Sequence, residues 1–176
     1  GERLVFSMAV RPETGAKGPD KASGQLHDKL FVRHWDTWAD GSRSHLFSVK
    51  LAAQGVAGTP VDLSKGLDGD TPSKPFGGDE EYAISPDGKR VVFSLRIAGR
   101  TEPWSTNFDL YETPIDGGAT TNLTAANLAW DTQPVFLGNG DLAYLAMDRP
   151  GFEADRFHVV VRSAKSAVAR PLTLAW

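Results

Sequence analysis

Apolar and polar positions alternate along this chain in short runs that are separated by turn residues. In Phe108–Glu112, for example, apolar Phe108 and Leu110 stand on either side of polar Asp109. A period of two predicts β-strands that bury one face. Gly-containing pairs stand where hairpins need tight turns, at positions 87–88, 117–118 and 139–140. No stretch has a helical period long enough to compete, so we predict an all-β fold.

A short motif occurs twice and indicates an internal repeat. Gly1–Ser7 reads GERLVFS and Gly88–Ser94 reads GKRVVFS, with five of seven positions identical at an offset of 87 residues. In the second copy, Ile84–Asp87 precedes the motif and completes a hairpin turn. The first copy begins at the glycine of that turn. We therefore expect the first repeat to lack its first strand and the chain to be a piece of a longer protein.

The repeat extends to three modules with a common plan. Each module has a strand that ends in an apolar-aromatic pair, then a loop, an alternating strand and a closing Leu-Ser or Leu-Thr pair. The closing pairs are Leu63-Ser64, Leu123-Thr124 and Leu172-Thr173. Four short strands in a unit of roughly 40–50 residues are typical of a β-propeller blade. We predict a partial β-propeller of about three four-stranded antiparallel blades, the first of them incomplete.

The repeat also sets expected boundaries. Blade one spans 1–66 without its first strand, blade two 77–124 and blade three 128–173, and a further blade starts at 174–176. The first strands of blades two and three are expected at Glu81–Ser85 and Thr132–Leu137. Three blades cannot close into a ring, so open blade edges are expected to cause self-association.

The loops between the second and third strands of each module are long, at Met8–Ser44, Leu95–Asn107 and Ala146–Arg156. In antiparallel blades these loops emerge on one face, and loops on a compact scaffold often carry function. The candidate substrate-facing or domain-facing residues in them are Arg11, Trp35, Trp38, Arg100, Trp104 and Arg149.

Two interpretations of these loop residues are open. The arginines, each close to a proline, either stabilise bends by pairing with Glu102, Glu153 or Asp155, or form an electropositive ring that meets substrate carboxylates or another domain. The tryptophans of the first loop either pack into the core or form a lid or contact surface.

Composition and motifs exclude several kinds of partner and catalytic site. The net charge of −3 without a basic stripe argues against nucleic acid, and no apolar run is long enough for a membrane span. The absence of cysteine excludes disulfides and thiol catalysis. There is no G-x-S-x-G motif, and the four histidines are scattered, so we assign no catalytic residue, cofactor or metal site.

The acidic run Asp79-Glu80-Glu81 is either a solvated turn or a site for a peptide amino terminus or a cation.

Particular strings resemble a known family. The string SPDGKRVVFS, which begins at Ser85, resembles the blade motif of TolB-like propellers and of the propellers in the prolyl oligopeptidase family. The loop strings Arg33–Trp38, Arg100–Asn107 and Arg149–Arg156 resemble the acylaminoacyl-peptidase and dipeptidyl-peptidase-5 branch of that family.

The resemblance implies a function that the residues alone do not show. In that family an N-terminal propeller caps an α/β-hydrolase domain with a Ser-His-Asp triad and admits short peptides. We therefore expect a substrate-gating, domain-interacting propeller fragment of a serine exopeptidase, inactive by itself. Its partners would be the hydrolase domain and short peptides, and a bacterial parent would be periplasmic or secreted. The alternative is a non-enzymatic TolB-like propeller that binds a protein or a ligand.

Overall fold

The computed structural model describes residues 2–11 and 27–175. Most of the first long loop, at 12–26, lies outside the described residues, as do Gly1 and Trp176.

Short strands dominate the described residues, which also include two single 3₁₀ turns at Asp79–Glu81 and Gly99–Thr101. The strands in chain order are β1 (Arg3–Val10), β2 (Arg33–His34), β3 (Thr37–Trp38), β4 (Arg43–Ala52), β5 (Gly55–Asp62), β6 (Tyr82–Ile84), β7 (Arg90–Leu95), β8 (Asp109–Pro114), β9 (Thr121–Asn122), β10 (Asp131–Phe136), β11 (Leu142–Ala146), β12 (His158–Arg162) and β13 (Ala169–Pro171).

Three antiparallel sheets follow one another along the chain, and each keeps its strands in chain order. Sheet one is β1-β4-β5, sheet two is β6-β7-β8-β9 and sheet three is β10-β11-β12-β13, while β2 and β3 form a separate hairpin. This arrangement confirms the predicted fold class, a partial propeller whose first blade has three strands. The expected first strands at 81–85 and 132–137 correspond to β6 and β10.

Two apolar clusters hold the sheets together. One lies between sheets one and two, and its buried members are Val5, Leu46, Leu63, Val91, Phe93, Leu95 and Ile115. The other lies between sheets two and three, with Val92, Leu110, Leu142, Tyr144, Ala146 and Val160. Successive residues of β7 therefore face opposite neighbours, as the alternation of a strand requires. A central sheet buried on both faces explains why Val91, Val92 and Phe93 are fully buried.

The closing Leu-Ser/Thr pairs fasten the last strand of each sheet to the strand before it. In every sheet the hydroxyl accepts a hydrogen bond from a backbone N–H near the start of that preceding strand, and the leucine N–H donates to the carbonyl of the same residue. The hydroxyl bonds are Leu46 N to Ser64 Oγ at 3.2 Å, Leu110 N to Thr124 Oγ1 at 2.9 Å and Val159 N to Thr173 Oγ1 at 2.9 Å. The repeat of this pair in the sequence thus reflects a repeated hydrogen-bond requirement.

Candidate functional site

The long loops lie on one face of the three sheets, here called the loop face and defined as residues 11, 27–42, 96–108 and 147–157. Direct contacts join them. The backbone N–H of Gly151 in the third loop donates to Thr106 Oγ1 of the second at 2.9 Å. Arg43, at the end of the first loop, reaches Glu102 of the second. The three loops therefore form one continuous surface.

Arg43 binds three carboxylates at the junction of sheets one and two. Its two terminal nitrogens donate to Glu102 at 3.1 and 3.0 Å, a bidentate pair. The same guanidinium donates to Asp70 at 2.9 Å and to Asp68 at 2.9 Å. Only 14% of the Arg43 side chain is exposed. The Arg43 cluster, defined as Arg43, Asp68, Asp70 and Glu102, thus fixes the second loop to the first sheet.

Charges within this cluster determine how the groups titrate. Burial alone would lower the pKa of Arg43, but hydrogen bonding and attraction from Glu102 and Asp70 outweigh it and raise that pKa. Burial alone would raise the pKa of Asp68, but the charge and hydrogen bond of Arg43 outweigh burial and lower that pKa. Nearby Arg96 has its pKa lowered by burial, which the charge of Glu102 only partly offsets. Arg43 and Asp68 therefore keep their charged forms at neutral pH.

The three candidate arginines, Arg11, Arg100 and Arg149, are each exposed and lie beside an aspartate. Arg11 is 3.4 Å from Asp40, and Arg100 is 3.8 Å from Asp28. Arg149 is 2.8 Å from Asp155, as one of the two interpretations expected. Glu102, also considered as a partner in the sequence, is engaged by Arg43 instead.

Hydrogen bonds fix two of these aspartates as anions. Hydrogen bonds from the Ser42 hydroxyl and backbone lower the pKa of Asp40 to about 2. Hydrogen bonding to Arg149 holds the pKa of Asp155 far below its ordinary value. The Arg11–Asp40 and Arg100–Asp28 pairs are exposed, and pairs of this kind contribute only about 0–1 kcal/mol to stability, so these two arginines can exchange the aspartate for another carboxylate. Arg149 is held more firmly, because two of its nitrogens bind Asp155, whose side chain is only 9% exposed.

The loop tryptophans lie on the surface. Trp35, Trp38 and Trp104 are 69%, 60% and 70% exposed. The interpretation that Trp35 and Trp38 pack into the core is therefore wrong. The β2–β3 hairpin has only two residues in each strand and places both rings at the surface. Trp35 also adopts a φ of 52°, a left-handed conformation that is rare for a bulky residue.

Exposed aromatic contacts accompany these tryptophans. Trp35 meets Phe76 edge-on with ring centroids 4.9 Å apart, and the guanidinium of Arg33 lies 5.3 Å from the Trp38 ring. In the third loop the guanidinium of Arg149 lies 3.9 Å from the Phe152 ring. Mixed aromatic and cationic side chains of this kind suit contact with a peptide or a protein.

A mainly apolar cleft of about 570 Å³ lies between the first strands of sheets two and three. Ile84, Val135 and Leu145 contribute apolar walls, and Asp79 and Glu80 also line it. Glu81 points elsewhere, because its carboxylate accepts hydrogen bonds from the backbone and hydroxyl of Ser73, both at 2.6 Å. Burial, partly opposed by these bonds, raises the pKa of Glu81. The acidic run thus divides into one structural residue and two that border the cleft.

The sequence did not predict the cleft or the Arg43 cluster. Each combines residues from two blades, and no local pattern records that proximity. The closest indication of the Arg43 cluster in the sequence was the pair of aspartates in Asp68-Gly69-Asp70, which could bind an arginine.

Each of the two strand histidines pairs with an aspartate. His45 Nδ1 is 2.9 Å from Asp62, and His158 Nε2 is 2.6 Å from Asp148. Across residues 2–11 and 27–175, no three or more His, Cys, Asp or Glu side chains are grouped as metal ligands would be. No helix in the same ranges has the length and apolar character to cross a membrane.

Comparison with known proteins identifies similar sequences. Dipeptidyl-peptidase 5 of Porphyromonas endodontalis is 34% identical over 88% of this chain, a match that covers 23% of that protein. Dipeptidyl-peptidase 5 of Porphyromonas gingivalis is 33% identical over 77% of this chain and 20% of its own length. A probable dipeptidyl-peptidase 5 of Emericella nidulans is 30% identical over 88% of this chain. These matches confirm the resemblance seen in the loop strings.

The chain spans about a quarter or less of these relatives, 23% and 20% for the two Porphyromonas proteins. No family model matches the chain. A solved structure described as TolB of Agrobacterium tumefaciens has a TM-score of 0.47 and 19% identity, covering 76% of this chain and 43% of that one.

Proposed function

We propose that this chain, a homologue of one segment of dipeptidyl-peptidase 5, acts as propeller blades of a serine exopeptidase. Its loop face gates the entry of short peptides and contacts an α/β-hydrolase domain. The catalytic triad belongs to that hydrolase domain, and no residue of this chain takes part in bond cleavage.

The continuity of the loop face supports this proposal. A gate must hold its shape while presenting side chains that adapt to different peptides. The Arg43 cluster and the Gly151–Thr106 bond supply the rigid base. Trp35 and Trp104 supply exposed aromatic contacts above it. Rigid support beneath exposed aromatic side chains is the usual arrangement of a protein contact surface.

The charge pattern supports the same proposal. Arg100 is exposed and is held by the exposed Asp28 through a weak surface pair at 3.8 Å. A peptide carboxylate, or an acidic residue of a neighbouring domain, can therefore replace the aspartate at little cost. Such rim charges affect encounter and selectivity more than affinity.

The test uses the complete polypeptide that contains this chain. Its kcat/KM is measured for dipeptide substrates and for longer peptides, in the wild type and in a Trp35→Ala/Trp104→Ala variant. Loss of two gate side chains should raise relative activity on longer peptides at least severalfold and leave kcat on dipeptides unchanged. A Lys89→Ala/Lys165→Ala variant, altered at exposed turn residues, should behave as the wild type.

Two outcomes would overturn the proposal. Identical length discrimination in the loop-face and control variants would remove the gating role. A complete polypeptide without peptidase activity would favour the alternative, a propeller that binds a protein or a ligand.

A further inference from the structure

The first and last residues of the second loop contact each other. Arg96 directly follows β7, and Phe108 directly precedes β8. The guanidinium of Arg96 lies 4.8 Å from the centroid of the Phe108 ring, and both side chains are largely buried. A cation–π contact that is shielded from water is stronger than an exposed one. This contact therefore closes the base of the loop.

The Phe108 ring belongs to a column of aromatic rings that reaches the third loop. Phe108 stacks on Trp130 with ring centroids 4.8 Å apart, and Trp130 meets Phe157 edge-on at 5.9 Å. Phe157 is the last residue of the third loop. Aromatic contacts of these geometries are favourable beyond the area that they bury. The guanidinium of Arg96 thus rests on a support that the second and third loops share.

Arg96 also binds the backbone next to Trp104. Its Nη1 donates a hydrogen bond to the carbonyl oxygen of Ser105 at 2.6 Å. In the same turn, the N–H groups of Trp104 and Ser105 donate to the carbonyl of Thr101 at 2.9 and 3.0 Å. Hydrogen bonds with an ionised donor are stronger than neutral ones. The first residue of the loop therefore holds the turn from which Trp104 projects.

The third loop contacts the same stretch of backbone. The Gly151 N–H donates to Thr106 Oγ1, the hydroxyl that directly follows Ser105. A Cβ atom on Gly151 would lie 3.8 Å from the carbonyl oxygen of Trp104. The turn at Gly151 thus packs against residues 104–106, which Arg96 holds from within the second loop.

Arg96 and Arg43 have different roles, although both lie near Glu102. Arg43 binds Glu102 with two nitrogens, whereas Arg96 Nη2 is 3.9 Å from that carboxylate. The close contacts of Arg96 are the Ser105 carbonyl and the Phe108 ring. Arg43 therefore fastens the second loop to sheet one, and Arg96 fixes the shape of the loop itself.

We propose that Arg96 is the positioning residue of the gate. It holds the backbone of the second loop so that the exposed Trp104 ring keeps its place on the loop face and restricts the length of entering peptides. This inference rests on the proposed function of the loop face. Arg96 acts through Trp104, because its own guanidinium is engaged by Ser105 and the Phe108 ring.

Amide hydrogen exchange in the complete polypeptide tests whether Arg96 holds the loop. Arg96→Met keeps an unbranched apolar side chain and removes the charge and the donors. We expect the amides of Trp104 and Ser105 to exchange about tenfold faster, the factor that the loss of a charge-assisted hydrogen bond allows. The control is Arg90→Met at the other end of β7, where the guanidinium also lies near a ring, 5.8 Å from Phe136. That variant should leave both amides unchanged.

A double-mutant cycle tests whether Arg96 acts through Trp104. The ratio of kcat/KM for a longer peptide to kcat/KM for a dipeptide is measured in the wild type, Arg96→Met, Trp104→Ala and the double variant. Arg96→Met should raise this ratio severalfold. The double variant should show no higher ratio than Trp104→Ala, because residues that act as a unit are not additive. A general loss of stability would not give this pattern, since the ratio compares two substrates of one enzyme.

The outcomes separate the positioning role from the gating function. Unchanged exchange in Arg96→Met, or effects of the two substitutions that multiply in the double variant, would overturn the positioning role. If Trp104→Ala alone leaves the ratio unchanged, the gating function is wrong, and the exchange measurement still decides whether Arg96 holds the loop. Circular dichroism establishes that Arg96→Met is folded, and Arg96→Gln replaces it in both measurements if it is not.

Discussion

Arg43 is the residue on which the loop face depends most. It donates hydrogen bonds to Asp68, Asp70 and Glu102, of which Asp70 and Glu102 are largely buried. Removal of the guanidinium takes away the bidentate partner of Glu102, whose nearest remaining cation is Arg96 at 3.9 Å. Breaking a buried ion pair by removing one partner typically costs about 3–5 kcal/mol.

We therefore expect Arg43→Met to lower the free energy of unfolding by about 3 kcal/mol, measured by urea denaturation. The control is Arg90→Met, because the Arg90–Glu112 pair is more exposed, at 42% and 26% of the side chains. That change should cost less than about 1 kcal/mol. Equal losses in the two variants would contradict the role assigned to the cluster.

Asp131 gives the structure a pH dependence. It is 1% exposed, and burial raises its pKa from 3.8 to about 7, only partly opposed by hydrogen bonds from Asn127 and Thr124. The negative charge of Asp109 adds to the increase. The folded state thus binds this proton more tightly than the unfolded state, so the free energy of unfolding falls as pH rises from about 4 to 7.

Substitution of Asp131 by Asn removes this titration. The melting temperature of Asp131→Asn should exceed that of the wild type at pH 8, where the wild type must bury a charge. Near pH 4 the two should melt alike. Calorimetry at both pH values provides the comparison, and a difference that is independent of pH would refute this explanation.

At the scale of elements, β7 is the strand on which both apolar clusters converge. Phe93 is fully buried against sheet one and stacks on Tyr111 with centroids 6.1 Å apart. Phe93→Ala should reduce the free energy of unfolding by about 3–5 kcal/mol, since a large cavity forms between two sheets. Phe6→Ala, at the equivalent but half-buried position of β1, should cost clearly less. If thermal unfolding shows equal losses, the assignment of the two faces of β7 is wrong.

The strands could be predicted from the sequence because their pattern is local. Alternation along Phe108–Glu112 and the repeated GxRxVFS motif depend on neighbours within one blade. The closing Leu-Ser/Thr pairs were equally visible, because each serves its own sheet. The exposure of Trp35 was not predictable, because it depends on how a two-residue hairpin projects from its sheet. The three partners of Arg43 come from separate segments, and no periodicity records their approach.

For the whole molecule, the sheets divide the surface into two faces. Long loops that carry Trp35, Trp104 and Arg149 occupy one, and tight turns such as Asp87-Gly88 occupy the other. The central claim is that the loop face meets the hydrolase part of a larger peptidase. The loop face would then be covered by the hydrolase part, and the face that carries the tight turns would stay exposed to solvent.

Amide hydrogen exchange tests this assignment most directly, by comparing this chain alone with the same residues in the complete polypeptide. The account predicts slower exchange at 27–42, 96–108 and 147–157 in the complete polypeptide, with the turns at 86–89, 116–118 and 163–168 unchanged. Protection of the turns with no change in the loops would contradict it.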